Sequence, residues 1–272
     1  MRLGRGKIQL VIALVVALAS ALMYFRSSQV NPVTGEKQRV GSITAEQEIA
    51  LGLQARGSMA QQFGGLTRDA QAAALVAEIG NRIVSRSSAS KGPYKYEFHV
   101  LADRKTINAF ALPGGQVFIT EALLSKLNSR GAVAGVLGHE VAHVVARHGA
   151  EHIAKAQLTQ GLTGAAVIAT YDPQDPGSMN KAAMAAMIGQ LVNLKYGRED
   201  ELESDRLGVQ FMAEAGYDPR PLIRVMEVLK AAGGGGQPEF FASHPNPENR
   251  VAKIEAAIKA AFPNGVPSNL EK

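Results

Sequence analysis

His139-Glu140-Val141-Ala142-His143 constrains this chain more than any other stretch. Two imidazoles four positions apart face the same way only on an α-helix. There they stand about 40° apart round the axis and one turn along it. Both can then reach one ion. Glu140, beside them, is placed to take a proton from an ion-bound water, the arrangement a zinc site needs. The flanking residues fit a helix. Ser129 offers an N-cap. With His139 at 0° and about 100° per residue, Val133, Leu137, Val141, Val144 and Val145 fall between roughly 120° and 240°. One side of the helix is therefore apolar and the other carries the pair. Two ordinary histidines, exposed or satisfied in a core, are the bland alternative.

The sequence has 272 residues and no cysteine. Disulfides, thiolate metal sites, cysteine nucleophiles and cysteine-linked lipid anchors are thereby excluded. Any metal site must use His, Asp and Glu, and a zinc ion needs a third protein ligand while keeping a position for water. The run Glu199-Asp200-Glu201-Leu202-Glu203-Ser204-Asp205 offers five carboxylates. Helical phase separates them. With Glu201 at 0°, Asp205 falls near 40°, Met212 near 20° and Gly208 near 340°, whereas Glu199, Glu203 and Arg206 fall between roughly 140° and 200°. Glu201 and Asp205 thus share a face with small and apolar residues. Glu201 is the better ligand, and Asp205 can accept the second ring N–H of a ligand histidine. A solvated acidic helix start, favoured by the helix dipole, is the competing reading.

His148 and His152 repeat the four-residue spacing. Continued on the same helix they lie near 180° and 220°, so they cannot share an ion with His139 and His143. Gly149 can break the helix between them. Packing or surface roles are expected of both.

The N-terminal stretch has a different character. Residues 1–26 carry Arg2, Arg5, Lys7 and Arg26 and no acid, and Ile8 to Phe25 is apolar except for Gln9 and Ser20. This is the order of a secretory signal, with small-residue cleavage sites at Ala17-Leu18-Ala19 and Ala19-Ser20-Ala21. Eighteen helical residues also span roughly 27 Å, so an uncleaved anchor fits equally. Basic residues ahead of the apolar run direct the rest of the chain outward, to the periplasm of a Gram-negative cell. Without this segment 25 bases face 24 acids. No broad basic surface remains, and no nucleic-acid partner is expected.

The predicted domains are a signal or anchor over 1–26, a polar linker over 27–41 and one catalytic-type domain over 42–272. Thr44, with Gln47 three residues on, marks a helix start. Helical patterns run to Phe63 and from Thr67 to Ser87. Tyr94 to Leu101 alternates and reads as a strand. Asn108 to Leu112 and Gln116 to Thr120 flank Pro113-Gly114-Gly115, a hairpin signal. Helices dominate from Glu121. Residues 161–194 read as two small-residue helices around a loop at 172–177, able to face a membrane or a partner. Gly233 to Gly236 reads as a flexible run. The fold class is α+β, helix-rich with a small β-sheet.

Four separated blocks now carry a resemblance. They are Asn108-Ala109-Phe110-Ala111-Leu112-Pro113-Gly114-Gly115; Gly138 to His143 followed by Arg147-His148-Gly149; Arg198 through Glu201 and Asp205 to Gly208; and Ser243-His244-Pro245-Asn246-Pro247-Glu248-Asn249-Arg250. In this order the chain resembles metallopeptidase family forty-eight. That is the gluzincin lineage that includes HtpX, the CAAX prenyl proteases and the periplasmic BepA and LoiP proteins. The blocks span about Ile43 to Ile258, and the likeness is to a compact, LoiP-type member without a repeat domain. Ser204 stands where alanine is more usual.

The resemblance implies one zinc ion per chain on His139, His143 and Glu201, with Asp205 as the partner of a ligand histidine. It also implies a strand at Asn108, Ala109, Phe110 and Ala111 lying along the active-site cleft and pairing with an extended substrate, since an open strand edge can bind any peptide through main-chain hydrogen bonds. Glu140 is then the general base. His244 and Arg250 are candidates for oxyanion donor. His244 is alternatively a fourth zinc ligand that closes the site at rest, as the periplasmic members suggest, or a plain loop histidine. The expected function is an endopeptidase acting on misfolded or stalled envelope proteins. The alternative is a chaperone or outer-membrane assembly factor that binds unfolded chains with little proteolysis, working with membrane or envelope assembly machinery.

Overall fold

The computed structural model describes residues 5–41, 43–170, 196–231, 239–246 and 249–272. The elements run α1 (Arg5–Arg26), β1 (Ser28–Val30), β2 (Lys37–Arg39), α2 (Ala45–Gln62), α3 (Ala70–Arg86), a 3-10 turn (Ser88–Lys91), β3 (Glu97–Leu101), β4 (Ala109–Leu112) and β5 (Gln116–Thr120). The later elements are helical: α4 (Glu121–Leu124), α5 (Arg130–Val145), α6 (His148–Thr170), α7 (Arg198–Glu214), α8 (Pro221–Ala231), α9 (Glu239–Ser243) and α10 (Arg250–Ala261). The architecture is α+β, helix-rich with small sheets. The expected loop at 172–177, the helix after it and the glycine run at 233–236 lie outside the described residues.

Local chemistry sets the element boundaries. Thr44 caps α2 with a full capping box, its side chain accepting from the Gln47 amide while Gln47 accepts from the Thr44 amide. α3 starts later than its apolar pattern, because Asp69 accepts from the amides of Gln71 and Ala72 and so becomes the N-cap. β3 begins at Glu97 rather than Tyr94; it runs parallel to β5, pairing Glu97 with Gln116 through Leu101 with Thr120. β4 and β5 form the expected antiparallel hairpin, and the strand order is β3-β5-β4. The hairpin turn needs glycine twice over. Gly114 has φ +84°, and a Cβ there would stand 2.4 Å from the Ile49 Cα of α2.

β4 is an edge strand by pairing, and its four residues are buried. Ala109 and Ala111 enter the main core with α5, while Phe110 and Leu112 enter a second cluster with Leu51, Ala55 and Met59 of α2. Alternating side chains therefore meet helices on both faces. The amide of Phe240, in α9, bonds the Ile107 carbonyl just ahead of the strand.

The segment 27–41, read as a linker, is a hairpin that closes the end of the metal-pair helix. β1 pairs with β2 antiparallel. Asn31 donates to the Val145 carbonyl at 2.7 Å, and Gln38 donates to that of Ala146. Both satisfy carbonyls that the end of α5 leaves open. α1 lies along α6, where Ser20 touches Gly161. Its Leu10, Leu14, Leu18 and Leu22 are exposed. Among the described residues no helix is long and apolar enough to cross a membrane.

Candidate metal centre

α5 is capped by Ser129, whose side chain accepts from the Ala132 amide, and every residue from Gly131 to Val145 is buried. The histidine face, which phase sets opposite the apolar one, is buried too because α7 packs on it. Glycines permit that approach. Gly138 of α5 and Gly208 of α7 face each other, and a Cβ on Gly208 would lie 3.2 Å from the His139 amide nitrogen. Backbone-to-backbone packing here sets Glu201 and Asp205 over the histidine pair.

One ligand atom from each of His139, His143, Glu201 and His244 lies within 4.8 Å of the others. His139 Nε2 is 3.0 Å from His143 Nε2 and 3.5 Å from Glu201 Oε2. His143 Nε2 is 3.4 Å from Glu201 Oε1. His244 Nδ1 stands 3.0 Å from Glu201 Oε1 and 3.5 Å from His139 Nε2. Atoms ~2.0–2.2 Å from a tetrahedral zinc stand roughly 3.3–3.5 Å apart. The spacing, the His and carboxylate donors and their burial fit that ion.

Charge around the cluster is graded. Asp205 Oδ1 lies 2.9 Å from His139 Nδ1. Burial works against a charged His139, yet Asp205 and Glu201 outweigh it and raise its pKa to about 9 in the metal-free protein. Burial pushes His143 well below the ordinary imidazole value. Burial would raise Glu201, but His244, His139 and His143 hold it well below the usual carboxylate range. Glu140 is fully buried and its carboxyl is raised by that burial. Neither of its oxygens has a hydrogen-bond partner among the described residues.

Arg250 is buried and faces the carboxylates. Its Nε and Nη2 donate to the two oxygens of Asp205 at 2.7 and 2.9 Å, and Nη1 lies 3.1 Å from Glu201 Oε2. A guanidinium forked in this way orients and neutralises acids.

His148, expected to have a packing or surface role, also touches the cluster. The chain reverses at Arg147, so His148 opens a new helix, and its Nδ1 lies 2.9 Å from Nδ1 of His143. Its Nε2 is 3.3 Å from Glu203. His152 pairs with Asp200 at 2.8 Å, away from the cluster. Tyr196, which no motif singles out, stacks on the His143 ring at 3.8 Å and donates its amide to Ser243, next to His244. An aromatic residue just ahead of the acidic helix is the available signal.

Fold and donor set together define a helix-rich α+β domain built round a buried cluster of three histidines and one glutamate that could hold a metal ion. Comparison with known proteins agrees. The pattern of Peptidase family M48 matches residues 70–258, and the chain belongs to that family. The beta-barrel assembly-enhancing protease of Escherichia coli (strain K12) is 32% identical over 186 residues, 64% of this chain and 36% of that protein. The mitochondrial metalloendopeptidase OMA1 of Schizosaccharomyces pombe is 35% identical over 188 residues, 68% of this chain and 53% of its own. OMA1 of Arabidopsis thaliana is 35% identical over 158 residues, 58% of this chain and 31% of that protein. The chain thus spans about a third to a half of the length of these curated relatives.

Proposed function

We propose that this chain is a zinc-dependent endopeptidase that hydrolyses peptide bonds in misfolded or stalled envelope proteins. One observation carries the reading: four ligand atoms within 4.8 Å, beside the unpartnered Glu140 carboxylate. Held by His139, His143 and Glu201, a zinc ion supplies Lewis acidity and lowers the pKa of a bound water. Glu140, its carboxyl raised by burial, would serve first as base to the water and then as acid to the leaving amine. Asp205 keeps the His139 proton on Nδ1, which leaves Nε2 free to ligate. Arg250 balances the charge of Asp205 and Glu201. His244, 3.0 Å from Glu201, would close the site at rest as a fourth ligand. A substrate strand pairs along Asn108 to Ala111 once α9 moves aside.

Zinc content and casein cleavage, wild type against Glu140→Gln, test this. The variant keeps its metal and loses at least about a hundredfold in kcat. A wild type purified without zinc and unable to bind it removes the central claim.

The closed site supports a second reading. His244 is buried among the candidate ligands, which suits a protein that binds unfolded chains and cleaves rarely. Glu140→Gln separates the two in cells: full retention of function sinks the peptidase. The basic flank and apolar run of α1 support export to the periplasm, with that helix cleaved as a signal or kept as an anchor.

A further inference from the structure

Arg147 joins the metal-pair helix to α6 with φ 60°, a left-handed conformation that a side chain other than glycine disfavours. That corner decides where His148 lies. On a continued helix His148 would stand about 140° round the axis from His143. Instead the two Nδ1 atoms are 2.9 Å apart. Metal ligation through Nε2 requires the His143 proton on Nδ1, so His143 donates and His148 accepts. His148 then carries its own proton on Nε2, toward Glu203.

The corner is gripped from α2. Arg147 donates through Nε to Glu48 Oε1 at 2.8 Å, and its Nη2 reaches the same carboxylate and the Ile43 carbonyl. Tyr94 donates its hydroxyl to the other oxygen of Glu48 at 3.0 Å. Glu48 is 1% exposed. An ion pair so buried is a poor way to add stability, because desolvation offsets attraction. What it does provide is a guanidinium fixed at both ends. Glu48 also lies outside residues 70–258, the part that the family pattern matches.

We propose that Glu48 is a positioning residue of the metal centre: through Arg147 it holds the α5–α6 corner, and so sets His148 against Nδ1 of the ligand His143. The inference rests on the metal-centre reading above, and its test separates the two.

The full chain is titrated with zinc against a competing chelator, and with cobalt(II) for its visible absorption. Glu48→Gln keeps the shape and the Tyr94 contact but removes the charge. It is expected to fold, to bind zinc about tenfold more weakly and to shift the cobalt spectrum, as loss of support behind a ligand histidine does. His148→Ala is expected to do the same, and Glu48→Gln added to it to weaken binding no further, since both act on one path. Wild-type affinity and spectrum in Glu48→Gln, whatever its Tm, overturn the proposal; so do additive losses in the double variant. If Glu48→Gln does not fold, Tyr94→Phe takes its place. That variant keeps both charges and is expected to weaken zinc about threefold; an unchanged Kd overturns the proposal. A wild type that binds neither metal overturns the metal-centre reading instead.

Discussion

Gly208 and His139 meet at the crossing of α7 and α5, where a Cβ on the glycine would stand 3.2 Å from the histidine's amide nitrogen. Alanine at 208 would push α7 outward by a few tenths of an ångström. It would also add helix propensity, about 1 kcal/mol for Gly to Ala in a helix interior. The two effects oppose each other in stability but not in geometry. Gly208→Ala is therefore expected to leave the unfolding free energy within about 1 kcal/mol of wild type while weakening zinc binding about tenfold. Urea unfolding and chelator competition on one preparation check both halves. Weaker stability with unchanged affinity would falsify the idea that this contact tunes the site.

How much of the fold and the site is legible in the sequence depends on the range of each feature. His139 and His143 are local, and their spacing alone places them. Glu201 and Asp205 lie within one regular helix and are buried, so phase arithmetic separates them from the less buried Glu199 and Glu203. Thr44 with Gln47 and the Pro113-Gly114-Gly115 turn are likewise short-range. His148 defeats the same arithmetic because it assumes an unbroken helix. The break lies at Arg147, and what grips Arg147 is Glu48, 99 positions away. The hairpin at 28–39 reads as linker because its strands are polar and three residues long, with no alternation to detect. The cover that α2 and α5 give both faces of β4 is not legible, because no local signal marks those distant helices.

His244 supplies a prediction with two opposed signs. Its Nδ1 is directed into the ligand cluster, 3.0 Å from Glu201, while its Nε2 is 3.7 Å from Glu140. As a fourth ligand, it must leave before substrate enters. His244→Ala is then expected to cleave casein at least as fast as wild type. An oxyanion donor predicts the reverse, a fall in kcat of about a hundredfold. Steady-state kinetics on zinc-loaded protein decide between them.

Proton competition sets the pH dependence of metal binding. Asp205 and Glu201 raise His139 to about 9 in the metal-free state, so near neutrality this ring is protonated and must lose its proton to ligate. Zinc affinity is expected to rise about tenfold per pH unit from neutrality toward pH 9 and then to level off. Isothermal titration in buffers of different ionisation enthalpy counts the proton released. Zero protons at pH 7 contradicts the assignment.

Glu271 ties the last described residues to the body of the fold. Its carboxylate pairs with Arg82 and with Arg130 at the start of α5, and its main chain bonds Gly216 and Asp218. Burial acts to raise its pKa, but the hydrogen bonds from Arg82 and Arg130 win and lower it. A carboxyl depressed on folding stabilises the protein above its unfolded value, about 4.3, and the contribution disappears as pH falls through the folded value. Both pairs are partly exposed, so the effect at pH 7 is modest, about 1 kcal/mol. Glu271→Gln is expected to lower stability by that amount at pH 7, with the gap to wild type closing below about pH 4. A gap that persists unchanged at pH 3 would mean that the main-chain contacts, and not the charge, hold this segment down.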